Sequence, residues 1–137
     1  QDPFRLLYFV VSDHMRTNIV VLRAVLKEGL SAPYRPSKAL VIDNLETLEV
    51  YRKQGLATSL VNFVIGIAEA HGIGLYAYCT VRDLPFWDRR GFEVENAIEM
   101  QAACNLRDAF SWKDTVLLRA GKGYTEYLPG DGDRLSR

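Results

Sequence analysis

Apolar positions along the chain follow two rhythms, short strand-like runs and one long stretch at helical spacing. "RLLYFVVS" (Arg5 to Ser12) is rich in β-branched and aromatic residues and predicts a strand. "NIVVLRAVLKEG" (Asn18 to Gly29) carries two signals. Its Val and Ile content favours a strand, whereas Lys27-Glu28-Gly29 looks like a helix C-terminus. The strand is preferred, paired with the first through a turn near "DHMRT". A helix stays open as the alternative, because periodicity does not settle a short apolar run.

"SAPYRPSK" (Ser31 to Lys38) holds two prolines and predicts a loop. "ALVIDNLETLEV" (Ala39 to Val50) predicts a third strand. From Leu56 to Ala70, Leu60, Val61, Val64, Ile65, Ile67 and Ala68 recur at helical spacing, with Gly72 as the stop. "IGLYAYCTV" (Ile73 to Val81) predicts a strand. "RDLPFWDRRGF" (Arg82 to Phe92) predicts a short helix with Pro85 in its first turn and Gly91 at its end. Two late strands are expected, Phe92 to Gln101 and Asp114 to Tyr124, around an irregular stretch from Ala102 to Lys113. Phe110 and Trp112 in that stretch are expected to pack on the core. The order is strand, strand, strand, helix, strand, helix, strand, strand, which describes a mixed α/β sheet with few helices.

A chain of 137 residues fits one domain, 1–137, with residues 125–137 as a mobile, Gly-rich tail. The 17 basic and 17 acidic side chains cancel, which removes the simplest argument for a nucleic acid or an acidic membrane as partner. A small anionic ligand needs only a few local donors and stays open. Cys79 and Cys104 form no CxxC pair, and with two scattered histidines they make no recognisable zinc site. No metal is expected, and a reducing, cytoplasmic setting is. No apolar run reaches the ~18 residues of a membrane span, and no signal-like leader is read. The chain opens on Gln1 rather than Met, which points to a start other than that of translation.

Candidate chemistry centres on "YRKQGLATSL" (Tyr51 to Leu60), where a strand ends and the helix begins. The first N–H groups of a helix lack internal acceptors and sit at the positive end of its dipole. Such a turn can cradle a phosphate or pyrophosphate. Gly55 lets the backbone approach a ligand, and Ala57 keeps the next turn small. Arg52 and Lys53 add charge, and Thr58 and Ser59 add hydroxyls. Taken alone, Arg52 to Ala57 reads first as an ordinary helix start with solvated basic residues.

Context favours the first reading. Arg52-x-x-Gly55-x-Ala57 after a strand resembles the pyrophosphate motif of the GNAT (GCN5-related N-acetyltransferase) superfamily. "FWDRRGF" (Phe86 to Phe92) resembles that family's Phe-Tyr-x-x-x-Gly-Phe, and the similarity spans about Ala39 to Val94. The resemblance implies an α/β fold with a GNAT-like mixed sheet and splayed central strands. It implies acetyl-CoA as co-substrate and an amine acceptor on a small molecule or a protein. It places the pantetheine and acyl carbonyl on main chain near Leu45, Glu46, Thr47 and Leu48. The pyrophosphate falls on Gln54, Gly55, Leu56, Ala57 and Thr58, with Arg52 and Lys53 beside it. Arg89 and Arg90 are within reach of a 3′-phosphate, or form a solvated face.

The transfer needs a base for the amine and an acid for the leaving thiolate. Asp43, Glu46 and Glu49 are the carboxylates in place, with Glu46 nearest the expected acyl group. Two departures stand out. Trp87 occupies the place of the family's acidic Tyr, and an indole N–H is no proton donor of that kind. That leaves Tyr76 or Tyr78 on the next strand as the acid, with Tyr78 preferred. Thr80 stands where the family often bonds the pantetheine arm through Asn, and Trp87 borders the cofactor. The second departure is length: the family usually has a strand and two helices ahead of this hairpin, so the fold reads as shortened at its N-terminus. Open apolar sheet would then favour a homodimer. A non-catalytic acyl-CoA-binding or sensing module of the same fold is the alternative function.

Overall fold

In the computed structural model, residues 4–30, 37–104 and 115–120 are described. A hairpin opens the chain. β1 (Phe4–Ser12) pairs antiparallel with β2 (Asn18–Lys27), in register from Phe4↔Lys27 to Val11↔Val20, with a one-residue shift before Ser12↔Asn18. Asp13 holds the connecting turn, its carboxylate accepting the Met15 and Thr17 amides at 2.9 Å each. The ambiguous Asn18–Gly29 segment is thus a strand. It blurs the alternation because it lies inside the sheet and is buried over most of its length.

β3 (Ala39–Thr47) lies antiparallel to β2, and α1 (Leu56–His71) carries the chain to β4 (Gly74–Thr80) on its other side. β3 and β4 are the parallel pair of a six-stranded mixed sheet ordered β1-β2-β3-β4-β6-β5. α2 (Leu84–Arg89), β5 (Glu93–Val94), α3 (Ile98–Ala103) and β6 (Thr115–Arg119) complete the order. Leu60, Val61, Val64 and Ala68 of α1 pack on Leu22, Ala24, Leu40, Ile42, Leu75 and Ala77, all buried. On the opposite face Val25, Val41, Tyr76 and Leu117 gather with Cys104, which follows α3. Leu6, Tyr8 and Val10 leave β1, an edge strand, with an exposed apolar stripe. Among the described residues no helix is long and apolar enough to cross a membrane.

Three expected boundaries move. The strand read as Ala39 to Val50 stops at Thr47, and Glu49–Tyr51 forms a single 3-10 turn. The helix read as Arg82 to Phe92 begins as a 3-10 turn (Val81–Asp83) and is regular only over α2. The strand read as Phe92 to Gln101 is a strand for two residues and then becomes α3. Glu95 makes that turn: its side chain accepts the Ala97 amide at 3.0 Å, and its carbonyl accepts the Gln101 side chain at 2.9 Å. Good helix formers, Glu99 to Ala103, take over from the β-branched pattern. Gly72 ends α1 as expected, with φ +63° and its amide on the Ala68 and Glu69 carbonyls. The expectations for residues 31–36 of the Ser31 to Lys38 loop, for Phe110 and Trp112, and for the 125–137 tail lie outside the described residues.

Candidate functional site

β3 and β4 pair only from Ala39↔Gly74 to Ile42↔Ala77. Beyond that ladder β3 runs five residues further, to Thr47, and β4 three, to Thr80. The strands are splayed there, and a cleft of about 690 Å³ opens between them. The splay begins at a β-bulge. Arg23 of β2 faces Asn44 and Ala24 faces Ile42, so Asp43 is the extra residue of β3. A bulge of this kind bends its strand and adds local twist.

Backbone direction past the bulge follows from one bond. The Leu48 amide donates to the Ile19 carbonyl at 2.9 Å, on the β2 side. Successive strand amides point to opposite edges. Glu46 therefore also turns its amide to β2, while Leu45 and Thr47 turn theirs into the cleft. The Leu48 amide, one of the donors expected from sequence, is already paired. The Thr47 carbonyl, on the cleft side, accepts Arg52 Nε at 3.2 Å, which ties the end of β3 to the following turn.

That turn reverses direction through two left-handed residues, Lys53 (φ +66°) and Gly55 (φ +78°). A Cβ on Gly55 would meet no protein atom, so the backbone angle is what the protein itself requires of glycine there. α1 starts at Leu56, and its first internal bond runs from the Ser59 amide to the Gly55 carbonyl at 3.0 Å. The Leu56, Ala57 and Thr58 amides lie ahead of that bond, at the positive end of a 16-residue helix. The Thr58 hydroxyl accepts a hydrogen bond from Arg90, whose guanidinium also lies 4.9 Å over the Phe86 ring. Arg90 therefore joins α2 to the first turn of α1.

The cleft lining divides between the two faces of the sheet. On the α1 side it is lined by Thr47, Arg52, Ala57, Cys79, Phe86 and Trp87. Trp87 is buried edge-on between Phe86 and Phe92, with ring centroids 5.3 and 4.9 Å away. On the opposite side lie Arg23, Asp43, Asn44, Glu46 and Tyr78. Glu46 is exposed and accepts a 2.8 Å hydrogen bond from the Asn44 side chain. The Asp43 side chain is only 1% exposed and is gripped by Arg23. Burial pushes the Tyr78 hydroxyl up to about 12, and it donates to the Cys104 carbonyl at 3.3 Å. Thr80 also lines the cleft and donates to Asp83 at 3.3 Å.

The structure thus gathers Leu45, Glu46, Thr47, Arg52, Ala57, Tyr78, Thr80 and Trp87 around one opening. Leu48, Lys53, Gln54, Gly55, Leu56 and Thr58 do not line it, although all but Leu48 belong to the turn and helix start at its rim. Of the three carboxylates, Glu49 sits on the 3-10 turn outside the cleft and Asp43 is buried and ion-paired, so Glu46 is the exposed one within the cleft. Sequence reasoning missed Arg23 and Asn44. Arg23 was visible as one cation inside an otherwise apolar strand. Both cysteines are free and buried, and burial raises Cys79 to about 11 and Cys104 to about 12. Neither is an activated nucleophile. No metal-binding cluster exists among the described residues.

The sequence profile of the Acetyltransferase (GNAT) family matches residues 22–92, more than half of the chain. The chain belongs to that family, whose members are transferases of acetyl groups. No curated protein sequence matches it significantly. Among solved structures it is similar to Tetrahymena GCN5, at 14% identity over 84% of this chain and 67% of that one, with a TM-score of 0.62. Arabidopsis thaliana NAA60 in complex with a bisubstrate analogue gives 16% identity over 83% and 74%, with a TM-score of 0.61. Arabidopsis thaliana NAA50 in complex with the bisubstrate analogue CoA-Ac-MVNAL gives 15% identity over 77% and 67%, with a TM-score of 0.53. At these identities the likeness establishes the fold.

Proposed function

We propose that this protein binds acetyl-CoA in the opening between β3 and β4 and transfers the acetyl group to an amine that approaches from the Glu46 side. The observation that carries this reading is the end of the β3–β4 ladder at Ile42↔Ala77. It leaves the Leu45 and Thr47 amides without a strand partner on that side, and an amide-rich ligand arm can satisfy them. The pyrophosphate rests on the Gly55–Thr58 amides at the helix dipole, with Arg52 and Lys53 supplying charge. A fixed N–H aimed at the thioester carbonyl stabilises the oxygen that gains negative charge when the amine attacks.

Glu46 acts as the base. It lines the cleft, it is solvent-accessible, and Asn44 orients it. Tyr78 stays neutral, its hydroxyl proton engaged by the Cys104 carbonyl, and does not serve as the acid. A hydroxyl held near 12 is a weaker acid than an ordinary thiol at about 8.5, so proton transfer to the thiolate runs uphill. The thiolate is a stable enough leaving group to depart unprotonated and take its proton from water or from the amine's released proton. The bisubstrate analogue CoA-Ac-MVNAL held by NAA50 supports a CoA-linked donor meeting an acceptor in this fold, and NAA60 too is in complex with a bisubstrate analogue. The peptide portion of CoA-Ac-MVNAL makes a peptide amine the first acceptor to try.

A second reading, an acyl-CoA-binding module without turnover, is favoured by one observation. Trp87 is core, and Tyr78 already donates to Cys104, so no ready acid faces the thiolate.

Calorimetric titration with acetyl-CoA, beside Gly55→Trp, tests the site. Left-handed backbone and added bulk at position 55 should weaken binding by about tenfold or more, the loss of one or two charge-assisted hydrogen bonds. Absence of binding to the wild-type protein would remove both readings. Release of free thiol on adding peptide amines then separates the transferase from the binding module.

A further inference from the structure

Asp43 is a costly residue to place where it is. Its carboxylate is 1% exposed, on the extra residue of a bulge, at the point where two strands part. A buried charge must be paired, and a buried pair adds little net stability over apolar packing. The pairing is nonetheless elaborate. Arg23 Nε donates to both carboxylate oxygens, at 3.0 and 3.2 Å, and Nη2 lies 3.0 Å from Oδ2. Two guanidinium nitrogens on one carboxylate fix its orientation as well as its position.

We propose that Arg23 and Asp43 are positioning residues that lock the register of β3 at the bulge and so select which amides face the acyl group. This rests on the acyl-CoA reading above. The mechanism is geometric. One extra residue in β3 decides the parity of everything after it. With Asp43 held out of the ladder, the amides of Asn44 and Glu46 face β2, and those of Leu45 and Thr47 face the cleft. If the bulge were absorbed by a one-residue slip, those pairs would exchange places. The acyl-facing donors would then be lost, and Glu46 would leave the side of the cleft where Asn44 orients it. The ion pair ties the bulged residue to β2, the strand against which any slip must occur. The Arg23 guanidinium is raised above its ordinary value, mainly by the hydrogen bond to Asp43, with burial opposing and the Asp43 charge adding to it. Lysine at position 23 keeps the charge but offers one nitrogen, which cannot hold both oxygens in that orientation.

The test compares acetyl-CoA with CoA as calorimetric ligands for the wild-type protein, Arg23→Lys and Asp43→Asn. CoA keeps the pantetheine arm and the pyrophosphate and lacks only the acyl group, so the difference between the two ligands isolates the β3 donor that meets the acyl carbonyl. The wild-type protein should prefer acetyl-CoA by about fivefold to tenfold, the worth of one carbonyl hydrogen bond. Arg23→Lys should abolish that preference, CoA affinity falling by less than acetyl-CoA affinity because the Arg52–Thr58 turn still holds the pyrophosphate, a selectivity that general loosening of the fold would not produce. If Arg23→Lys does not fold, Asp43→Asn, which keeps the side chain's shape and one acceptor oxygen, takes the same test. Equal affinities in the wild-type protein, or a preference retained in the variants, overturns the proposal while leaving CoA binding in place. A parallel loss for both ligands also overturns it, because that marks a purely structural pair. Failure of the wild-type protein to bind either ligand overturns the acyl-CoA reading and the proposal with it, and is recognisable as such.

Discussion

The two halves of β3 are built to opposite specifications. From Ala39 to Ile42 every residue is buried, each is paired on both edges, and the side chains feed both hydrophobic layers. From Asp43 to Thr47 no residue is fully buried in the same way, one edge is open, and four of the five side chains are polar. β4 repeats the division: Ala77 is core, and Tyr78 and Thr80 face the cleft. One strand thus anchors the fold with its first half and presents donors with its second. The lesson is that the paired half makes the open half affordable, since unpartnered strand edges keep their shape only when the neighbouring segment is fixed.

The division is open to attack from either side. The largest effect is expected on the open half: Glu46→Gln should lower the rate of acetyl transfer by about 10²–10⁴-fold, the usual contribution of a positioned base. Its unfolding free energy should stay within about 0.5 kcal/mol, as for other exposed substitutions. A steady-state assay beside urea denaturation checks both. The reverse pattern is expected one residue before the bulge. Ile42→Ala removes a fully buried side chain and should cost about 2–5 kcal/mol in the same denaturation experiment. If the two variants exchanged these signatures, the division of labour along β3 would be wrong.

The smallest expected effect concerns Tyr78, the first residue of β4 beyond the ladder. Burial raises its hydroxyl from 10 to about 12. Between those values the folded state keeps a proton that the unfolded chain has released. This contribution to stability is therefore present in full below pH 10 and is lost as pH rises through 12. Tyr78→Phe should flatten that part of the alkaline decline, read as unfolding free energy against pH. The thiols of Cys79 and Cys104, raised from 9 to about 11 and 12, will still contribute a decline of the same sign, beginning near pH 9.

Much of this arrangement was written locally and could be read. The helix period from Leu60 to Ala68, the Gly72 stop and the strand-turn-helix around Gly55 depend on neighbours a few residues away. What stayed hidden depends on distant partners or on a count. The bulge is one extra residue, which a period-2 pattern in "VIDNLET" does not display. Arg23 gains its meaning from Asp43, twenty residues on and on the adjacent strand. Glu49 stands behind Glu46 among the candidate bases in the sequence, and it is the 3-10 turn at Glu49–Tyr51 that places it outside the cleft. The two-residue β5 and the helix after it were masked by Val94 and Ile98, whose β-branched side chains outweighed the helix formers that follow.

The central claim is that the open edge of β3 receives the acyl-CoA, and amide hydrogen exchange resolved by residue tests it most directly. Val41 and Tyr76, inside the paired half, should be protected with or without ligand. Leu45 and Thr47 should exchange quickly in the free protein and slow markedly on saturation with acetyl-CoA. If acetyl-CoA binds and their exchange does not change, the ligand lies elsewhere and the account of the cleft is contradicted.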